Sequence, residues 1–340
     1  MRRTAHTEPS FDATSASIDR RSVLAAGGVG LILGSAAVAR SAQAAPKPSG
    51  PLGPLSPAWR AAEVLPLWQG TPPETGFQAQ PLPPDSPPGF FRNVATPALH
   101  VFRPRIANNA AILLIPGGAY TFIVGTHEGG DTAQAFAARG YTVFVLIHRL
   151  PGEGWSHRSI VPLQDAQRAM RVIRANALRY ALDPARVAVL GYSAGGHLAA
   201  SLATGFAEPT YAARDAIDRH DPRPWAAGLI YPVITLAPHF TNPQSAAYLL
   251  GPDPGEALIA RRSPDRHVDA ITPPTFLAHA LDDTAAPPEN SFWMLSALRA
   301  ARVPAEAHFF ERGGHGFALG LPGTPNAEWP ALFDSWLGKR

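Results

Sequence analysis

The sequence predicts an α/β protein with a mostly parallel central sheet and helices on both faces. Three observations predict it. Short, continuously apolar runs recur from residue 98 onward. Stretches of helical length separate them. The 340-residue chain is 46% hydrophobic and only 16% charged, the balance of a globular rather than a disordered chain. Strands that are apolar at every position, not at alternate ones, are buried on both faces, and parallel strands covered by helices meet that condition.

The expected strands are ALHVF (98–102), AAILLI (110–115), YTVFVLI (141–147), RVAVL (186–190), AAGLIY (226–231), TFLAHA (275–280) and AEAHFF (305–310). The expected helices lie at 129–139, 162–180, 195–206, 289–301 and 326–337. Residues 207–225 and 235–270 are richer in Pro, Asp and Arg, and are expected as excursions above the sheet, where a cap over a site would sit. No internal repeat or second core is visible, so residues 90–340 read as one α/β domain.

Two segments precede it. Residues 45–89 contain PKPSGPLGPLSP and TPPETGFQAQPLPPDSPPG. Proline fixes φ and removes a donor, so this segment is expected to be an extended wrapping. Residues 1–44 read as an export leader: Arg20 and Arg21, then AAGGVGLILGSAAVA, then small residues at Ala42 and Ala44 in an A-x-A arrangement. The arginine pair resembles a twin-arginine signal, which implies export of a folded protein by that machinery to the periplasm or the medium. The apolar run is too short and too glycine-rich for a spanning helix of about 20 residues.

Composition excludes several chemistries. A net charge of +3 with no long basic run does not indicate nucleic acid or anionic membrane as a partner. The absence of cysteine removes disulfides, thiolate nucleophiles and cysteine-based metal sites. No H-E-x-x-H or H-x-H pair suggests a metal. Neither G-x-x-x-x-G-K-[ST] nor G-x-G-x-x-G occurs, so no nucleotide cofactor is expected. The oligomeric state is not fixed by any of this.

The chemistry-bearing stretches sit at the ends of the expected strands. After RVAVL comes GYSAGGHLAA, in which Gly191, Ser193 and Gly195 form G-x-S-x-G. A sharp strand-to-helix turn pushes the serine Oγ out at the carboxyl end of the sheet, and the amide of Ala194 faces the same space. The helix N-terminus favours negative charge developing there. After the strand ending ILLI comes PGGAY, whose glycine pair lets backbone amides point into a cavity. The amides of Gly118 and Ala119 are expected to join that of Ala194 in holding an oxyanion. After AEAHFF comes ERGGHGF, where His315 sits between Gly314 and Gly316 in a loop that bends its imidazole over the sheet edge. His308, inside the strand, and His197, in the first turn after the serine, read as packed residues. His127 either lines the pocket or satisfies loop backbone groups. Tyr192 and Trp155 either stack on a substrate ring or pack at the rim. The loop HALDDTAAP carries Asp282 and Asp283 side by side. In an extended exit their side chains project to opposite sides, so only one reaches His315.

The series PGGAY, HEGGDTAQAFAARGYTVFVLIHRL, LQDAQRAMRVIRANA, GYSAGGHLAA, TPPTFLAHALDDTAAPPENS and GGHGF resembles the α/β-hydrolase superfamily. It is most similar to the acetyl-xylan-esterase-like and feruloyl-esterase-like carbohydrate esterases, over about residues 98–338. The resemblance implies a cofactor-free serine esterase acting on a small ester or an acylated carbohydrate, with Ser193, Asp283 and His315 as its triad. Asp283 follows from the family's acid loop, H-G-x-x-D-x-x-V-P: the acid stands three residues past the glycine position, here Ala280, and Pro287 lies four further on. Asp282 is then a turn residue accepting loop amides. The chain departs from the family at His148-Arg149, where a tyrosine-arginine pair is usual, and at Ala280 and Ala286. A serine peptidase, a general lipase or a catalytically silent binding protein of the same fold are the alternatives.

Overall fold

The structure, a computed structural model, describes residues 54–340. The leader expected over 1–44 and the first residues of the proline-rich segment lie outside the described residues. In chain order the strands are β1 (Glu63–Pro66), β2 (Phe90–Phe91), β3 (Ala98–Phe102), β4 (Ala111–Ile115), β5 (Ile123–Val124), β6 (Thr142–Ile147), β7 (Val187–Tyr192), β8 (Ala227–Ile230), β9 (Thr275–Ala280) and β10 (Ala305–Phe310). The α-helices are α1 (Pro57–Ala61), α2 (Thr132–Ala137), α3 (Val161–Ala175), α4 (Ser193–Gly205), α5 (Pro243–Leu250), α6 (Glu256–Arg261), α7 (Glu289–Ala300) and α8 (Trp329–Leu337).

Eight strands form one sheet in the order β1-β3-β6-β4-β7-β8-β9-β10. From β6 to β10 every neighbouring pair is parallel. At the other end β1, β3 and β6 pair antiparallel. All seven expected strands are present, with ends shifted by a residue or two, and β7 runs on through Gly191 and Tyr192 to the serine.

Strand alternation divides the core between the two faces. On one face Leu113, Ile115, Val187 and Val189 pack with Ala169 and Met170 of α3, Leu198 and Leu202 of α4, and Met294 and Leu298 of α7. On the other, Ile112, Leu114, Ala188, Leu190 and Tyr192 pack with Phe136 of α2 and Trp329, Phe333 and Trp336 of α8. Every residue of β4 is inaccessible to solvent, and full burial of one such aliphatic side chain is worth about 1.5–3 kcal/mol. This two-sided burial holds the carboxyl ends of β4, β7 and β9 in fixed relation, and all three lead into loops that carry candidate site residues.

Three expectations need correction. The segment 45–89 is not only a wrapping. It supplies β1, which adds an antiparallel strand to the sheet edge, and it buries Trp59, Leu67 and Trp68. The strand's one proline, Pro66, stands at its end and leaves the residues before it free to pair. The excursion 207–225 does not cap the site. It follows the end of α4 and packs on α3, where Thr210 donates to Gln167 (2.6 Å) and Arg168 bonds Asp215 and Asp218. The expected helix at 129–139 is shortened to α2, because a π-helical turn, Gly125–Asp131, precedes it. By contrast, 235–270 carries α5 and α6 and does border the candidate site.

Where β6 ends, Arg149 turns back onto α3. Its backbone N–H and guanidinium donate to Asp165, to which Trp68 Nε1 also donates (2.9 Å). Both ionic side chains are wholly buried.

Candidate active site

The nucleophile candidate stands at the junction of β7 and α4. Ser193 has φ 52, the left-handed region that side chains avoid, and this tight turn aims its Oγ away from both elements. Gly195 is required by packing: a Cβ there would lie 2.2 Å from the carbonyl oxygen of Ile115, at the end of β4. The helix therefore sits directly against the strand that precedes the PGGAY loop.

His315 reaches this serine from the loop after β10. The flanking Gly314 (φ 59) and Gly316 (φ 82) allow the turn that brings it over the sheet edge. Its Nε2 lies 2.8 Å from Ser193 Oγ, and its Nδ1 lies 2.7 Å from Asp283 Oδ2. Asp283 follows β9 and is buried. Its Oδ1 accepts from the amides of Ala285 and Ala286 (both 2.9 Å), which fixes the carboxylate plane. His279 Nε2 also approaches Oδ2 (3.2 Å) and the carbonyl of Ala286 (3.0 Å), so it carries the proton, and its Nδ1 then accepts from Ser291. Burial pushes the Asp283 carboxyl up, but the hydrogen bonds from His279 and His315, the His315 charge and the Ala286 amide outweigh it. The carboxyl is held well below the usual range.

The neighbouring aspartate faces the other way. Asp282 is exposed, and its Oδ1 accepts from the amide of Gly314 (2.7 Å). It braces the loop that carries His315.

Gly118 and Ala119 line the same cavity as Ser193, and Ala194 follows the serine in the first turn of α4. None of the amides of these three residues donates to another group among the described residues. Ala119 (φ 52) and Tyr120 (φ 59) are both left-handed without being glycine. Two ties hold this loop. Glu128 Oε2 accepts from the amide of Gly117 (2.6 Å), and Tyr120 Oη bonds His197 Nδ1 (2.8 Å) in the first turn of α4. Because His197 Nε2 donates to the carbonyl of Arg262 (2.8 Å), its Nδ1 accepts and Tyr120 is the donor. Burial lowers the His197 imidazole to about 4, so it stays neutral.

Ser193, His315, Gly118 and Ala119 line a cavity of about 320 Å³. Phe90 and Phe122, stacked at 4.5 Å, form an apolar wall together with Val124. His127, Asn242 and Gln244 form its polar side, and Asn242 donates to the carbonyl of Ala285 in the acid loop (3.0 Å). Among the described residues no group of three or more His, Cys, Asp or Glu is placed to hold a metal ion.

Of the expected site residues, Ser193, Asp283, His315, Gly118, Ala119, Ala194 and His127 are brought together. Two are not. Tyr192 is wholly buried on the α8 side of the sheet, bonded to Thr132 Oγ1 (3.0 Å) and packed on Tyr231 and Trp329. It shares a strand face with Ala188 and Leu190, and period-two alternation already assigns it to the core. Trp155 is buried against Phe77 and the Arg149 guanidinium and does not line the cavity. Sequence reasoning missed the Phe90–Phe122 wall and Glu128. The signal for Glu128 was a lone carboxylate among glycines beside an apolar strand.

A mostly parallel sheet with a serine elbow, an acid loop and a histidine loop along its carboxyl edge is the architecture of an α/β hydrolase. Comparison with known proteins agrees. Residues 99–221 match the BD-FAE family. The solved acetyl ester-xyloside bifunctional hydrolase of Caldicellulosiruptor lactoaceticus is 33% identical, superposes with a TM-score of 0.70, and is covered over 96% of its length by 82% of this chain. The acetylxylan esterase of Xylanibacter ruminicola is 30% identical over 223 residues, 64% of this chain and 43% of that protein. Endo-1,4-beta-xylanase B of Butyrivibrio fibrisolvens is 35% identical over 213 residues, 61% of this chain and 32% of that protein. The chain thus spans less than half the length of these two curated relatives. It belongs to the α/β-hydrolase superfamily, on its esterase branch.

Proposed function

We propose that the protein is a serine carboxylic-ester hydrolase that removes acetyl or other small acyl groups from a carbohydrate such as xylan. The observation that carries this reading is the unbroken chain from Ser193 through His315 to Asp283, set at one cavity beside Gly118 and Ala119, whose amides have no partner among the described residues. In the reaction, His315 Nε2 takes the Ser193 proton as Oγ attacks the ester carbonyl. The carbonyl oxygen becomes an oxyanion held by the amides of Gly118, Ala119 and Ala194. His315 then protonates the departing alcohol, and the serine is left acylated. A water then gives a proton to the same nitrogen as its oxygen attacks the acyl carbon; the bond from that carbon to Oγ breaks, the proton returns to Ser193 Oγ, and the acid leaves. Asp283 holds His315 in the tautomer with a proton on Nδ1 and stabilises the imidazolium.

Glycosidic cleavage is less well supported. It needs two carboxyl groups free to act across the bond. Here Glu128 and Asp283 both have their oxygens occupied by protein donors. The carbohydrate part of the proposal draws on what the relatives are named for. Export through the twin-arginine route is part of the same proposal and draws on Arg20, Arg21 and the A-x-A at Ala42 and Ala44.

A substrate panel tests the reading: p-nitrophenyl acetate, longer acyl esters, a feruloyl ester, acetylated xylan and a p-nitrophenyl xyloside. Turnover of short acyl esters and release of acetate from the polymer are expected, with the xyloside untouched. Ser193→Ala should lower kcat by on the order of 10⁴ or more and abolish labelling by a fluorophosphonate. Near-normal turnover by that variant ends the assignment.

A further inference from the structure

Glu128 is a buried group in the HEGG segment for which the proposed chemistry has no use. It lies in the π-helical turn before α2 and is 4% exposed. Its Oε2 accepts from the Gly117 amide (2.6 Å), and its Oε1 accepts from the Tyr231 hydroxyl (2.9 Å). That hydroxyl in turn accepts from the amide of Ala318 (3.1 Å), three residues beyond His315. The Tyr231 ring also stands edge-on to the His315 imidazole, at 5.0 Å between centroids.

The direction of each bond follows from the donors available. The Tyr231 oxygen receives the Ala318 proton, so its own proton goes to Glu128. Gly117 has only a proton to give. Both carboxylate oxygens therefore accept, and Glu128 ties the loop before Gly118 and Ala119 to the exit of β8, from which the Tyr231 hydroxyl carries the connection on to the histidine loop. The pieces it joins are strained. Ala119 (φ 52), Tyr120 (φ 59), Tyr231 (φ 37) and Ala318 (φ 45) all occupy the left-handed region. Such conformations persist only where the surroundings over-determine them.

We propose that Glu128 is a positioning residue, a single buried carboxylate that keeps the amides of Gly118 and Ala119 and the imidazole of His315 in register with Ser193. The inference rests on the esterase reading above. A glutamine at 128 fills the same volume, but it presents a donor where the carboxylate accepted. Gly117 cannot reverse its bond, so either that amide or the Tyr231 hydroxyl must change partner.

The test compares the wild type, Glu128→Gln, Tyr231→Phe and the double variant on p-nitrophenyl acetate. Glu128→Gln is expected to lower kcat by about 10²-fold, the scale of an ångström-sized misplacement, with KM within about threefold of the wild type. The rate of fluorophosphonate labelling at Ser193 should fall in parallel. Tyr231→Phe is expected to give a smaller loss with the same kcat–KM split, and the double variant to fall about as far as Glu128→Gln alone, as expected when two groups act in one network. Amide hydrogen exchange supplies a readout that does not need turnover: Gly117 and Ala318 should both lose protection in Glu128→Gln. If Glu128→Gln keeps kcat, labelling rate and both protected amides, or if the two losses simply add, the inference is overturned. If Glu128→Gln does not fold, Tyr231→Phe decides, and a variant with unchanged kcat and an Ala318 amide still protected overturns it. A wild type that turns over no ester is a failure of the esterase reading alone, and the exchange measurement still decides the role of Glu128.

Discussion

Two buried aspartates make an instructive pair. Asp165 and Asp283 each have a side chain wholly shielded from solvent and a cationic or ionisable partner at hydrogen-bond distance. Asp165 faces the Arg149 guanidinium, equally buried, and accepts from Trp68 as well. Arginine does not release its proton, so this cluster is closed and only fastens β6 to α3. Asp283 faces His315, whose side chain is 19% exposed and whose far nitrogen touches Ser193. Burial and pairing are therefore common to both regions. What distinguishes the second is a partner that can exchange protons, a cavity to exchange them into, and backbone amides left without partners.

Substitutions on each side should separate the two roles. Asp283→Asn should lower kcat per folded molecule by on the order of 10⁴, since an amide in that place no longer favours the tautomer that accepts from Ser193, a fall far beyond what its loss of stability accounts for. Arg149→Leu should do the reverse. It strands the Asp165 charge in the core, and denaturant unfolding should show a loss of about 3–5 kcal/mol, with kcat per folded molecule unchanged. An activity loss in the second variant without unfolding would erase the distinction.

Acid titration sharpens the comparison from another side. Burial lowers the His197 imidazole from about 6.5 to about 4, and His100 and His148 shift in the same direction for the same reason. Between those values the unfolded chain binds protons that the folded chain refuses. Stability thus rises with pH across this window and falls as pH drops from about 6.5 to about 4. For His197 the loss amounts to about 3 kcal/mol in all. Unfolding curves at stepped pH should show this slope, and His197→Asn should flatten it. The smallest effect is expected at Asp282. Asp282→Asn still offers an oxygen to the Gly314 amide, so kcat/KM should fall less than tenfold, far short of its neighbour.

Much of this was legible in the sequence because it is local. Strand-length apolar runs gave the sheet, and Ser193 and His315 were marked by the glycines their turns demand. Alternation on an extended exit showed that only one of Asp282 and Asp283 reaches His315, and the resemblance to the family's acid loop singled out Asp283; the structure puts the two on different loop atoms of the same histidine segment. What was not legible depends on distant partners. Tyr192 is a different case, since it ends β7 and alternation with Ala188 and Leu190 already puts it on the α8 side, against the expectation drawn from its place beside the serine. Trp155 packs on Phe77, a partner far upstream that only the fold brings near. The pairing of β1 with β3 joins segments some 35 residues apart, and nothing local in EVLP announces it. Glu128 joins loops at 117 and 231, and through Tyr231 the loop at 318, a relation that no spacing along the chain encodes.

The bond between Tyr120 and His197 has one further consequence. It pins the loop that offers Gly118 and Ala119 to the same helix that begins at Ser193, one turn away. In the proposed reaction the attacking oxygen and the oxyanion donors thus ride on one joined piece, set in relation before substrate arrives. A reaction run on such a pre-set frame has no slow gating motion for the solvent to drag upon. Turnover should be indifferent to added glycerol or sucrose until the arrival of substrate itself becomes limiting.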